Sequence, residues 1–173
     1  KPDLRFGFEL KDLTALVKNS AFKVFSGAVE VGGSVRAINV KGGAKFTRKE
    51  IDSLGEFAKS YRAKGLAWMK QAGGEISSSF LKFISEEEAA AIRAAMDFAD
   101  GDLILIVADK NKIVFDSLGA LRCECAKRLN LLRPDDWKFL WVTDFPLFEY
   151  SEEDGRFYAM HHPFTMPNPE DLD

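Results

Sequence analysis

The sequence predicts an α+β chain built around a two-layer module, with a mostly antiparallel sheet and helices on one face. Three observations predict it. Leu103–Ala108 (LILIVA) is short and continuously apolar, the pattern of a central strand. Thr47–Glu50 and Ser85–Glu88 are both Ser/Thr-x-x-Glu capping boxes, and each opens a stretch of helical period. Short, hairpin-like links join the early strand candidates, which argues for antiparallel pairing. No G-x-G-x-x-G follows a strand and no Walker-type phosphate loop is present, so a parallel dinucleotide-type sheet is disfavoured.

The elements follow in order. Leu4–Leu10 alternates apolar and other residues as a strand does. Asp12–Lys18 reads as a short helix with Asp12 as cap. Phe22–Val24 and Ala28–Val31 are short strand candidates separated by Ser26-Gly27. Gly32-Gly33 is a turn before the strand Ser34–Val40, in which Val35, Ala37 and Ile38 compete for the inner face. Gly42-Gly43 breaks the chain. Ile51, Leu54, Ala58 and Tyr61 then recur at helical spacing, giving a helix over about 48–62. Leu66–Lys70 is a strand, Gly73–Ser79 a polar loop, and Phe80–Ile84 a short strand. Ala89, Ile92 and Met96 form the buried stripe of the helix after Ser85, whose first turn carries three acids where the helix dipole favours them. Leu118, Leu121, Cys125 and Leu129 mark a helix over about 115–129, and Arg133–Asp136 is a linker. Phe139–Val142 is a strand broken by Pro146, and Leu147–Tyr150 and Phe157–Met160 flank a hairpin tip at Asp154-Gly155. After His161 the prolines at 163, 167 and 169 leave only loop.

With 173 residues, 46% hydrophobic and 29% charged, the chain has the make-up of a globular domain and part of a second. A formal charge of −3 gives no overall basic field for nucleic acid. Cys123 and Cys125, two apart on a helix, point roughly 200° apart, the wrong geometry for a bridge or a shared metal. Packing thiols of this kind fit a reducing, cytoplasmic compartment. No signal peptide is visible, and no apolar run approaches the ~20 residues of a membrane span. The first residues, Lys1-Pro2-Asp3, and the last, Glu170–Asp173, read as cuts in a longer protein.

Few residues suit chemistry. His161 and His162 are the only histidines. Metal sites draw three or four spaced ligands, so an adjacent pair is a poor zinc site. The pair is either a polar loop before Pro163 or an imidazole placed on a loop to contact a polar or anionic substrate. Asp144 and Glu149 lie in an apolar stretch, as a general acid/base pair or as structural groups around Pro146. Lys41, Lys45, Arg48 and Lys49 form a local basic cluster, either an RNA-backbone contact or a solvated face.

FLWVTDFPLFE at 139–149, then an acidic hairpin, then HHPFTMP at 161–167, resembles the segment of bacterial aspartyl-tRNA synthetases between class II motifs 2 and 3. KPDLRFG at 1–7 resembles the stretch just after motif 2. FKVFSGAV at 22–29, VRAINVKGG at 35–43, FTRKEID at 46–52 and AKGLAWMK at 63–70 resemble the inserted GAD domain of these enzymes, a DCoH-like fold. The resemblance implies residues 1–19 as the end of a catalytic-domain segment and connector. It implies 20–133 as the GAD insertion and 134–173 as the returning catalytic segment.

The resemblance also implies a reaction. Aspartate attacks the α-phosphate of ATP to give aspartyl-adenylate, and the aspartyl group passes to the 3′ end of tRNA. In the family the first histidine of HHPFT contacts the aspartate substrate, which assigns that role to His161 and a weaker claim to His162. The family's motif 2 and motif 3 arginines, its magnesium carboxylates and its anticodon-binding barrel are not in these residues. This stretch is therefore expected to have no catalytic or metal-binding residue and no cofactor of its own, with ATP and Mg2+ serving the longer protein. The expected partners of that protein are tRNA and L-aspartate, with no DNA and no membrane. It is expected to be a cytoplasmic homodimer, and the isolated stretch to self-associate through exposed edges. The GAD domain also occurs in subunits of tRNA-dependent amidotransferases, so the alternative is a non-catalytic module contacting tRNA or protein.

Overall fold

Every residue of Leu103–Asp109 except Ala108 is buried, and the unit Lys1–Lys138 is arranged around that strand. The computed structural model describes residues 3–143, 146–151, 153–160, 166 and 169–171. In chain order the first unit holds β1 (Lys11–Asp12), α1 (Thr14–Val17), α2 (Lys23–Glu30), β2 (Ser34–Val40) and α3 (Arg48–Lys59). It continues with β3 (Ala67–Ala72), β4 (Glu75–Ser78), α4 (Glu86–Ala95), β5 (Leu103–Asp109) and α5 (Asn111–Arg128). The sheet order is β1-β2-β5-β3-β4, and every neighbouring pair is antiparallel. β5 pairs along its whole length with β2, from Ser34↔Asp109 to Val40↔Leu103, and with β3 from Ala67↔Ile106 to Lys70↔Leu103. Two strands flanking a common antiparallel neighbour run parallel to each other, so β2-α3-β3 is a crossover split by β5.

The antiparallel α+β character matches the sequence reading, but the helices are not confined to one face. Ile38, Val40, Leu103, Leu105 and Val107 pack against Ile51, Leu54 and Ala58 of α3 and Val114, Leu118 and Leu121 of α5. Val35, Ala37, Met69, Ile104 and Ile106 pack on the other side against Val17 of α1, Phe25 of α2 and Ile92 of α4. Successive strand residues point to opposite faces, so a strand apolar at both parities needs cover on both. The competition between Val35, Ala37 and Ile38 resolves the same way, since both faces are inside.

Several local expectations are corrected. Leu4–Leu10 is not a strand, because Gly7 (φ +69°) and Phe8 (φ +54°) turn the backbone through the left-handed region. Phe22–Val24 and Ala28–Val31 are parts of one helix, α2. Phe22, Phe25 and Val29 at helical spacing bury one stripe, and Gly27 faces open space, where a small residue is tolerated. Gly73-Gly74 is a two-residue hairpin turn with both φ positive (+61° and +84°), which lets the polar Glu75–Ser78 pair with β3 as an edge strand. Phe80–Ile84 tightens into a 3₁₀ turn, Leu81–Phe83, because the Ser78 hydroxyl accepts from the Phe80 and Leu81 N–H groups. The α3 capping box forms in full. In α4 Ser85 accepts from the Glu88 N–H at 3.1 Å, while Glu88 Oε1 is buried without a partner.

The second unit, Phe139–Asp173, contains β6 (Phe148–Ser151) and β7 (Arg156–Ala159), an antiparallel hairpin turning at Asp154-Gly155 as expected. Phe139–Val142 forms no strand; Phe139 and Trp141 are 90% and 95% exposed. Among the described residues no strand pairs with it, so its alternation has no ladder to join.

The α2 assignment is open to test by urea denaturation. Phe25 is fully buried whereas Val24 is 53% exposed. Phe25→Ala is expected to cost about 3–5 kcal/mol, and Val24→Ala to stay within about 0.5 kcal/mol. Equal losses would contradict the helix.

Candidate functional site

The basic cluster is spread over the turn just after β2, the 3₁₀ turn Gly43–Lys45 and the start of α3. Lys41 Nζ donates to the Asp102 carboxylate at 2.8 Å and to the Asp97 carbonyl at 2.6 Å. Arg48 pairs with Asp52 at 2.9 Å and lies over the Trp68 ring. Lys45 and Lys49 are exposed. Two of the four charges are thus matched by local carboxylates, which favours the solvated-face reading over a phosphate-gripping one.

Behind Lys41 lies a buried polar knot that the sequence did not announce. Asn39 Nδ2 donates to the Met96 and Asp97 carbonyls and to Asp102 Oδ2 at 3.0 Å. The Ala99 N–H donates to the same oxygen. Burial pushes the Asp102 carboxyl up, but the bonds from Lys41, Asn39 and Ala99 outweigh it and hold the group below the usual carboxylate range. The knot ties the turn after α4 to the middle of the sheet.

The tail presents the residues that carry the resemblance. Phe148, Tyr150 and Phe157 share one face of the hairpin, with Phe157 packed edge-on to both other rings. Glu149 lies across from Tyr158 on the opposite face. At the tip, Asp154 accepts from Ser151 Oγ and from Tyr158 OH at 2.9 Å, and Arg156 donates to the same Tyr158 hydroxyl. At the base the Met160 N–H donates to the Leu147 carbonyl, so the ribbon is closed up to the residue before His161. His161, His162 and Asp144 lie outside the described residues. The pairing of Asp144 with Glu149 considered from the sequence therefore also lies outside the described residues.

Cys123 is exposed and Cys125 buried, both as free thiols; burial pushes the Cys125 thiol up to about 12. Among the described residues no group of three or more His, Cys, Asp or Glu side chains could hold a metal ion. Among them, too, no helix is long and apolar enough to cross a membrane.

A five-stranded antiparallel sheet with a split crossover and helices on both faces defines a small two-sided α+β module. The GAD domain family model matches residues 25–118, more than half the chain, and the chain belongs to that family. It is 60% identical, over 99% of its length, to the aspartate–tRNA ligase of Ruminiclostridium cellulolyticum. It is 57% identical, over 100% of its length, to the aspartate–tRNA ligases of Clostridium botulinum strains Kyoto / Type A2 and 657 / Type Ba4. The chain spans 29% of the length of each of these relatives.

Acid titration of stability tests the polar knot. The unfolded Asp pKa is about 3.9, and the folded value of Asp102 lies below it. Its contribution is therefore present above about pH 4 and lost as pH falls through the folded value. Asp102→Asn is expected to cost about 2 kcal/mol near neutral pH, since Lys41 is half exposed and screened. The gap between wild type and variant in urea melts should shrink below about pH 4. A gap independent of pH would refute the ionised assignment.

Proposed function

We propose that this chain is the GAD-containing stretch of an aspartate–tRNA ligase, an enzyme that activates L-aspartate with ATP as aspartyl-adenylate and transfers it to tRNA. The carrying observation is the extent of the match. Identity of 60% runs through 99% of the chain, including the hairpin unit beyond the GAD-matched residues. A GAD module borrowed by a different kind of protein would share the module alone.

In this reading the chain contributes one substrate contact. His161 donates to the carboxylate of bound aspartate, with His162 beside it. The hairpin braces the segment that leads into them. ATP and Mg2+ are held by other parts of the longer protein, which acts as a cytoplasmic homodimer on tRNA. The stretch alone is non-catalytic, because one contact cannot supply the positioning and electrostatics of adenylation. The uncovered aromatic face of the hairpin is an association surface when the stretch is separated from the rest.

This chain alone is expected to show no aspartate-dependent ATP–pyrophosphate exchange; clear exchange would overturn the non-catalytic reading. In the full-length ligase, His161→Ala should lower kcat/KM for aspartate roughly 10- to 100-fold, the loss of one charge-assisted hydrogen bond. Unchanged kinetics would remove the assignment. Light scattering should show association of the isolated chain that Phe157→Ser weakens, and a clean monomer at high concentration would count against it.

A further inference from the structure

The incoming connector, residues 3–8, is held by one side chain of α5. Arg122 Nε donates to the Phe8 carbonyl at 2.8 Å, and Nη2 donates to the Gly7 carbonyl at 2.6 Å and the Asp3 carbonyl at 2.8 Å. Its guanidinium also lies 5.0 Å from the centre of the Phe6 ring. Three carbonyls can converge on one planar fork only because the chain turns through two successive left-handed residues, Gly7 and Phe8. That conformation is unfavourable for a phenylalanine. It is sustained here by burial of the Phe8 side chain in the α3/α5 core and by the Arg122 bond to its carbonyl.

The same connector is cross-tied to the outgoing one. Arg5 Nε and Nη2 grip the Asp3 carboxylate at 2.9 and 2.7 Å. Arg5 Nη1 donates to the Arg133 carbonyl at 3.2 Å. A continuous path of polar contacts therefore runs from α5 through Arg122, Asp3 and Arg5 to Arg133. The Asp3 carboxyl is held down to about 2, first by its hydrogen bonds from Arg5, so the middle of the path stays ionised.

We propose that Arg122 is a latch that fixes both connectors of the module to α5, holding the outgoing connector through Asp3 and Arg5. With the latch closed, the module and its two connectors move as one body. With it open, both connectors become flexible together while the sheet and its helices stay intact. Arg122 is thus a positioning residue, and its effect reaches Arg133 by way of Asp3 and Arg5.

Backbone ¹⁵N relaxation on this chain tests the coupling. In wild type, residues 4–8 and 133–136 should have order parameters near those of rigid backbone, about 0.85. Arg122→Ala should drop both stretches below about 0.6 and leave β5 unchanged. Arg5→Ala should loosen 133–136 and leave 4–8 ordered. Loosening of 4–8 alone in Arg122→Ala, or of neither stretch, would overturn the latch. Should Arg122→Ala fail to fold, Arg122→Lys decides, since a single ammonium cannot serve three carbonyls in this geometry. It must loosen both stretches, and unchanged order in either would refute the proposal.

Discussion

β5 is hydrogen-bonded along both edges and buried on both faces, and the rest of the first unit follows from accommodating it. Its backbone groups find their partners in β2 and β3, both antiparallel to it, which makes β2-α3-β3 the split crossover. Its side chains are apolar at both parities, so helices must arrive on both sides. The long helix α5 begins two residues after the strand ends and folds back over one face beside α3. α2, which precedes β2, and α4, which precedes β5, close the opposite face. The polar residues at the two ends of β5 mark where this apolar regime stops. Asp102 precedes the strand in the knot with Asn39 and Lys41, and Asp109 at its end accepts from the Lys110 N–H.

The hairpin unit obeys the opposite regime. A two-stranded ribbon cannot bury its own apolar face, and here Phe148, Tyr150 and Phe157 stay mostly exposed. Polar contacts around Asp154 order the tip without supplying a core. A ribbon of this kind is stabilised by what covers it.

Much of the fold could be read from residue pattern, and the misreadings have identifiable causes. Thr47 and Glu50 specify the α3 start because capping chemistry is local, and Leu103–Ala108 specifies the central strand because its run is too short and too apolar for alternatives. Ser26-Gly27 misled because it looks like punctuation, yet the packing of Phe22, Phe25 and Val29 outweighs the roughly 1 kcal/mol helix penalty of one glycine. The apolar alternation of Leu4–Leu10 reflects Phe6, Phe8 and Leu10 reaching one core from an irregular turn, and nothing local discloses that Arg122, 114 positions beyond Phe8, holds it. The one-face arrangement was wrong although its contradiction was visible: a continuously apolar central strand already demands two covered faces. His161 and His162 were legible only through family resemblance, since an adjacent pair on a proline-rich loop has no distinguishing physical pattern of its own.

The long-range ties made by arginines bring the two ends of the first unit together. A domain interrupts another with least disturbance when its two connectors lie side by side, because the host then loses little more than a loop. Here Arg5 joins residue 3 to residue 133 across the base of the module. Phe8 and Leu132 pack against the core while Leu4 and Leu131 beside them are exposed, so apolar contact and the arginine bonds hold this edge together. Backbone carbonyls in an irregular turn need donors from elsewhere, and a guanidinium supplies several in one plane. The sheet thus supplies the core of the unit, while polar contacts on one edge of α5 add ties between its two ends.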